Sequence, residues 1–369
     1  MSRRWPNAFW AGANTEAAAV EVFGYTCTMC GNTNRRSNRM WSDTIVTTQA
    51  IVVHESGGPQ VLKYEEITVP EPGPGQVLVR NHAVGLNFLD VYLRSGRYPA
   101  KVPFIPGHEG AGVVERVGVG VEDFSVGDRV GYIDPMGSYA GLVTRSVDRL
   151  VKLPDGIEVK DAAGLLLKGM TAEYLLRRTY RVMAGQTILV HAAAGGVGQI
   201  LCQWAKHLGA TVIGTVGSAA KRQIAENVGC DHVIINGQED FVATVHDITA
   251  GHGVPVVYDG VGGEGFMKSL DCLAPRGTMV AFGAAAGPIP PLDVQELGPK
   301  GSLYVTRPML GPYVATTEDL NASAQALFDV VLDGHVKVEV ANTYRLAEAA
   351  QAHADLELRK LAGSTILVP

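Results

Sequence analysis

Cysteine is sparse in this chain, with five in 369 residues at positions 27, 30, 202, 230 and 272. That count excludes a disulfide-stapled scaffold, which needs a dense set of pairs in a short sequence. Long apolar runs are missing too. The best stretch, Thr278 to Leu292, is broken by Pro288, Pro290 and Pro291, which no membrane-spanning helix tolerates easily. Charged residues make up only 18%, and the formal net charge is −6. A global electrostatic case for nucleic acid is therefore absent, and neither a nucleic-acid nor a membrane partner is expected. No internal repeat and no apolar leader segment of a secretory signal is found. The expectation is a soluble, cytoplasmic protein.

What is present is apolar: 46% hydrophobic residues, enough for real cores and too many for a disordered chain. The length suits two domains. Glycine is in excess, 44 residues without a collagen-like period, which places it in turns and in loops that approach a ligand.

Residues 1–43 stand apart. They carry Arg3, Arg4, Arg35, Arg36 and Arg39 against few acids, and they show no sustained period. An inert extension is the expectation; an organellar transit segment has a similar composition. Cys27 and Cys30 form a Cys-x-x-Cys pair, but no second pair lies nearby to complete a zinc site.

From Thr44 the pattern changes. Thr48–His54, Leu62–Val69, Gln76–Arg80, Gly110–Val117 and Gly127–Gly131 are short strand candidates punctuated by Gly and Pro. Such spacing predicts a compact, barrel-like β domain. Asn87 to Arg94 reads as one or two helical turns that gather Asn87, Asp90, Tyr92 and Arg94, with Tyr98 just after. Two readings stay open. These groups line a cleft, or Asp90 caps the helix or pairs with Arg94 at i,i+4 while the tyrosines pack.

The strongest signal is Gln186–His191, a buried strand, followed at once by Ala192-Ala-Ala-Gly-Gly-Val-Gly198 and a helical stretch to Leu208. Thr211–Val216 is the next strand. Strand, glycine turn, helix and strand within one βαβ length form a dinucleotide fingerprint, with Gly195, Gly196, Val197 and Gly198 on the pyrophosphate. An NAD site usually carries an acid about 20 residues on, to hold the ribose 2′-hydroxyl. Here no Asp or Glu occurs from Gln199 to Ala225; Gly217, Ser218, Lys221 and Arg222 stand there instead. Cations attract a 2′-phosphate that a carboxylate would repel, so the charge logic selects NADPH. Further strands at Asp231–Ile235, Val254–Asp259 and Gly277–Gly283 predict a parallel, doubly wound sheet. Gly301–Pro308 reads as one more strand, Asp319–Leu332 and Leu346–Leu358 as helices, and Ser364–Val368 as a closing strand.

A β-rich region, a Rossmann unit and a return segment resemble the medium-chain dehydrogenase/reductase superfamily. Within it the chain is similar to the zinc-free quinone oxidoreductase (zeta-crystallin-like) family. The stretches that carry this are Asn87–Pro99, Gly107-His-Glu-Gly-Ala-Gly112, Lys168-Gly-Met-Thr171, Val190–Gly198, Gly214–Gly217 and Lys300–Pro308. The resemblance implies an α/β fold in which a Rossmann domain (171–309) is inserted in a GroES-like catalytic domain (44–170 and 310–369). It implies Asn87, Tyr92 and Thr171 near the nicotinamide, with Asn87 and Tyr92 as catalytic residues bonding the developing oxyanion. It puts Phe282 and Gly283 beside the cofactor and Arg359 at its phosphate end. Relatives carry a Tyr by the adenosine where this chain has Asn236. Zinc is not expected: no Cys lies between Cys30 and Cys202, Asn87 occupies the first zinc-ligand position, and His108 alone cannot hold the metal. The implied activity is NADPH-dependent reduction of quinones by a homodimer. The alternatives are an enone or enoyl reductase, or a non-enzymatic NADPH-binding, crystallin-like or RNA-binding protein.

Overall fold

A computed structural model describes residues 46–369. The readings of 1–43, Cys27 and Cys30 lie outside the described residues. The N-terminal part is built from β1 (Val46–Val53), β2 (Leu62–Val69), β3 (Gln76–Gly85), α1 (Phe88–Arg94), β4 (Glu109–Val117), β5 (Arg129–Ile133), β6 (Leu142–Ser146) and β7 (Leu150–Lys152). β1 and β2 form an antiparallel ribbon, while β3, β4, β5 and β7 form successive neighbours of a second sheet, with β6 on the other side of β3. β3 runs five residues past the predicted Arg80, with Ala83 and Val84 buried in two different cores.

The chain then enters α2 (Val159–Tyr174), β8 (Thr187–Val190), α3 (Gly196–His207), β9 (Thr211–Val216), α4 (Arg222–Asn227), β10 (His232–Ile235), α5 (Phe241–Ile248), β11 (Val254–Asp259), α6 (Gly265–Leu270), β12 (Leu273–Ala281) and β13 (Tyr304–Thr306). Six strands pair in parallel in the order β10-β9-β8-β11-β12-β13. The two-residue period of a strand splits its side chains between two cores. Ile188 and Val190 pack with Leu201 and Trp204 of α3, whereas Leu189 packs with Val245 of α5 and Leu270 of α6. Both faces are thus covered, as a parallel sheet requires. The predicted strand Gly301–Pro308 shrinks to three paired residues, Tyr304–Thr306 against Thr278–Val280 of β12.

The remainder is α7 (Leu310–Tyr313), α8 (Thr317–Leu332), β14 (Val340–Arg345), α9 (Ala349–Glu357) and β15 (Ser364–Val368). β15 returns to pair antiparallel with β3, so the last strand joins the β3 sheet. On its way the chain passes the glycine turn: Gly363 donates to the Ala194 carbonyl at 3.1 Å.

Helix α2 has no counterpart in the predicted elements. It is apolar nearly all round, buried between β3 and β4 on one side and α3 and α8 on the other, so no amphipathic period marks it. Gly169 makes the α8 contact possible, since a Cβ there would sit 2.4 Å from a Leu327 methyl.

Candidate active site

The glycine turn sits between β8 and α3 as the fingerprint requires. Gly195 is the N-cap of α3, so the N–H groups of Gly196, Val197 and Gly198 have no carbonyl a turn earlier to meet. The first turn of α3 carries no acid, and the helix dipole adds positive potential there. Gly198 is required by close approach: a Cβ would lie 2.2 Å from the Ala192 oxygen and 2.9 Å from the Ala193 backbone.

Beyond β9, Gly217 is exposed and nothing lies within 4 Å of where its Cβ would be. Ser218 and Lys221 follow. The Lys221 ammonium donates to the carbonyls of Arg359 at 2.9 Å and Leu361 at 3.1 Å, which leaves its third N–H for a ligand. Burial, and then the Arg359 charge, lower its pKa from the ordinary lysine value. Arg222 is different: it pairs with Glu239 at 3.1 Å on the surface, so of the two predicted cations Lys221 alone joins Arg359. Asn236 follows β10, exposed, with its amide 3.3 Å from the Thr215 hydroxyl. An open lip over Gly217, orphan N–H groups and two adjacent cations suit a phosphate-rich dinucleotide.

The second half of the site comes from α1 and the loop after β12. Asn87 is the N-cap of α1, and Asp90 accepts from its N–H at 3.0 Å. The Asn87 amide nitrogen donates to Glu109 at 2.9 Å and reaches the Gly85 carbonyl at 3.5 Å. Tyr92 is 7% exposed, and its phenol oxygen accepts the N–H of Ala284 at 3.1 Å. That bond joins α1 to the Rossmann sheet's edge loop, beside Phe282 and Gly283. Arg97 stacks over the Tyr92 ring at 4.8 Å and donates to the Ala284 carbonyl at 2.9 Å. Burial raises the Tyr92 pKa, against the opposing effects of the Ala284 N–H and Arg97, so the phenol keeps its proton at neutral pH as a donor. Thr171 on α2 is buried, and its hydroxyl donates to the Leu167 carbonyl at 2.7 Å.

The two open readings of α1 divide by residue. Tyr92 reaches across to the loop after β12 and also packs edge-on against Tyr98 at 5.3 Å, while Asn87 turns to Gly85 and Glu109. The i,i+4 pair of Asp90 with Arg94 does not form: Arg94 pairs with Glu357 of α9 at 2.8 Å. Asp90 instead accepts from the Tyr139 hydroxyl and meets His108 Nδ1, both at 3.0 Å. Capping turned Asp90 back toward the start of α1, away from its i+4 neighbour. Sequence reasoning missed Glu109 and Lys168 as site residues. Their Nζ–Oε2 distance is 3.0 Å, and both are buried. The signal was a single Lys inside the apolar run Leu165-Leu-Leu-Lys-Gly-Met170. Among the described residues no three His, Cys, Asp or Glu side chains converge as metal ligands.

The Asp90 cluster makes a pH prediction. His353 is wholly buried against the Tyr139 hydroxyl, and burial pushes its pKa down to about 4. Between about 6.5 and that value the unfolded chain binds a proton that the folded one excludes, so stability falls on acidification, by up to roughly 3 kcal/mol. For His108 burial acts downward, but the Asp90 hydrogen bond and charge outweigh it and raise its pKa, so its contribution is present in acid and lost as pH rises. In denaturant titrations at pH 7 and 4.5, His353→Gln loses less stability on acidification than the wild type. Equal losses would remove His353 from the account.

A β-rich domain that closes on its own C-terminal strand around a parallel dinucleotide sheet defines a medium-chain dehydrogenase/reductase. Sequence comparison agrees: residues 73–187 match the alcohol dehydrogenase GroES-like domain, and 196–328 match the zinc-binding dehydrogenase family model. The chain is 50% identical to a quinone oxidoreductase of Pseudomonas aeruginosa over 317 residues, 85% of this chain and 97% of that one. It is 46% identical to a 2-haloacrylate reductase from a Burkholderia species, over 87% of this chain and 98% of that one. A crystal structure of Escherichia coli quinone oxidoreductase complexed with NADPH superposes with a TM-score of 0.85 at 45% identity, covering 87% of this chain and all of that one. The chain belongs to the quinone oxidoreductase family.

Proposed function

We propose that this protein is an NADPH-dependent quinone oxidoreductase that works without zinc. The reading is carried by Lys221 and Arg359, held together beside a glycine turn with no acid to repel a 2′-phosphate. Gly195, Gly196, Val197 and Gly198 take the pyrophosphate. Gly217, Ser218, Lys221 and Arg359 take the adenosine phosphate, with Asn236 at the adenosine. Asn87, Tyr92, Thr171, Phe282 and Gly283 border the nicotinamide. NADPH, when bound, supplies a hydride from its dihydronicotinamide ring. The chain's part is to orient donor and acceptor and exclude water from the cleft. A quinone is electrophilic enough to need no metal Lewis acid, and the Tyr92 O–H, whose oxygen accepts from Ala284, keeps its proton for the oxygen where charge develops.

In stopped-flow mixing, NADPH oxidation should follow addition of simple quinones and persist after chelator dialysis. No turnover with any quinone, alongside reduction of a 2-haloacrylate, would favour the second reading, an enone or acrylate reductase. That reading has a specific support in the Burkholderia relative.

The reading extends to a cytoplasmic homodimer; no helix among the described residues is long and apolar enough to cross a membrane. β13 is the edge of the parallel sheet, with Tyr304 61% and Val305 36% exposed. A two-fold copy would pair such an edge. Light scattering should report a dimer or a multiple of it at micromolar concentration. Val305→Pro, which removes a main-chain N–H from this strand, should shift the population toward monomer.

A further inference from the structure

Glu109 is fully buried at the start of β4, and three donors meet its carboxylate. Oε1 accepts the N–H of Leu167 at 2.8 Å; Oε2 accepts Asn87 Nδ2 at 2.9 Å and Lys168 Nζ at 3.0 Å. An ionised carboxylate has no proton to give, so the edge of the Asn87 amide that faces it must be the nitrogen. The second amide hydrogen points at the Gly85 carbonyl. What Asn87 offers a ligand is therefore its oxygen, an acceptor.

Lys168 makes this arrangement durable. A buried carboxylate requires a compensating charge, and the ammonium supplies it. Were the carboxyl neutral, its O–H could donate to the Asn87 oxygen and the amide could turn either way. The Lys168 stem also lies against the glycine turn, with Cδ 2.9 Å from the position a Gly196 Cβ would take. The pair thus ties the pyrophosphate turn to Asn87.

We infer that Glu109 and Lys168 are positioning residues that fix the polarity of Asn87, so that its amide oxygen accepts the N–H of the nicotinamide carboxamide. Tyr92 and Asn87 then divide the labour: a donor for the substrate oxygen, an acceptor for the cofactor's amide. The inference rests on the placement of Asn87 beside the nicotinamide proposed above.

The test compares NADPH with its reduced 3-acetylpyridine analogue, whose acetyl group keeps the carbonyl and lacks the N–H. Dissociation constants are measured by cofactor fluorescence. The wild type should bind the analogue about tenfold more weakly, the value of one buried hydrogen bond. In Glu109→Gln/Lys168→Met no charge is left buried. The Gln oxygen keeps the Leu167 N–H, its NH2 turns to Asn87, and the Asn87 amide flips. The preference for NADPH should fall to about twofold or less, or reverse. Lys168→Met alone takes away the compensating charge, so the carboxyl goes neutral and its O–H can donate to the Asn87 oxygen; the preference should fall in the same direction, and this variant serves if the double one does not fold. An unchanged tenfold preference in both variants overturns the inference. Asn87→Ala separates the two levels: it should abolish the preference. If it does not, Asn87 is not at the nicotinamide and the placement itself fails. If the preference is lost in Asn87→Ala but intact in the Glu109/Lys168 double variant and in Lys168→Met, the inference alone fails.

Discussion

With Lys221 replaced by alanine, NADPH affinity falls tenfold or more while NADH affinity changes by less than about threefold. Two of the three ammonium N–H groups are engaged by the Arg359 and Leu361 carbonyls, so the third is left for the 2′-phosphate. A charge-assisted hydrogen bond of this kind contributes about 1.5–3 kcal/mol. The same substitution releases the tail between α9 and β15, and NADH, which lacks the phosphate, measures that second effect by itself. Equal loss for both cofactors would mean that Lys221 only anchors the tail. Raising the salt concentration should weaken NADPH binding in the wild type more than in the variant, because Lys221 is only partly buried.

Gly198→Val should reduce NADPH affinity by about a hundredfold or more, the equivalent of roughly 3 kcal/mol. Even the first carbon of the new side chain would stand 2.2 Å from the Ala192 oxygen, and the obstructing atoms are backbone, which cannot swing aside. The turn must open, which displaces the Gly196 and Val197 N–H groups from the pyrophosphate. Isothermal titration with NADPH, alongside a thermal melt, checks this. A variant that melts normally and binds NADPH as the wild type does would show that the turn carries no pyrophosphate.

Much of the architecture could be read from residue order alone. The Rossmann half was legible because β8, the glycine turn, α3 and β9 are contiguous, and each obeys its own local rule. Asn87, Tyr92 and Lys221 were legible as candidates for the same reason: each stands in a short polar stretch or at a set spacing from the turn. α2 was not, because burial on every side erases the period that marks a helix. The meeting of Lys221 with Arg359 was legible only through the family resemblance, since no local rule joins residues 138 apart that come together when β15 returns to β3.

Local chemistry sets which residues are able to do the work: small residues at the turn, no acid after β9, an N-cap Asn and a Tyr one turn on. Contacts between distant segments set what each of them does. Toward a ligand Asn87 presents its acceptor oxygen, because its NH2 donates to Glu109, 22 residues on, which has only lone pairs to offer it. Glu109 in turn stays charged in a dry interior because α2 delivers Lys168 to it from 59 residues away. A hydrogen bond's direction belongs to the pair that makes it: the pairing of β3 with β4 brings Asn87 to Glu109, and the packing of α2 against β4 brings Lys168 to it.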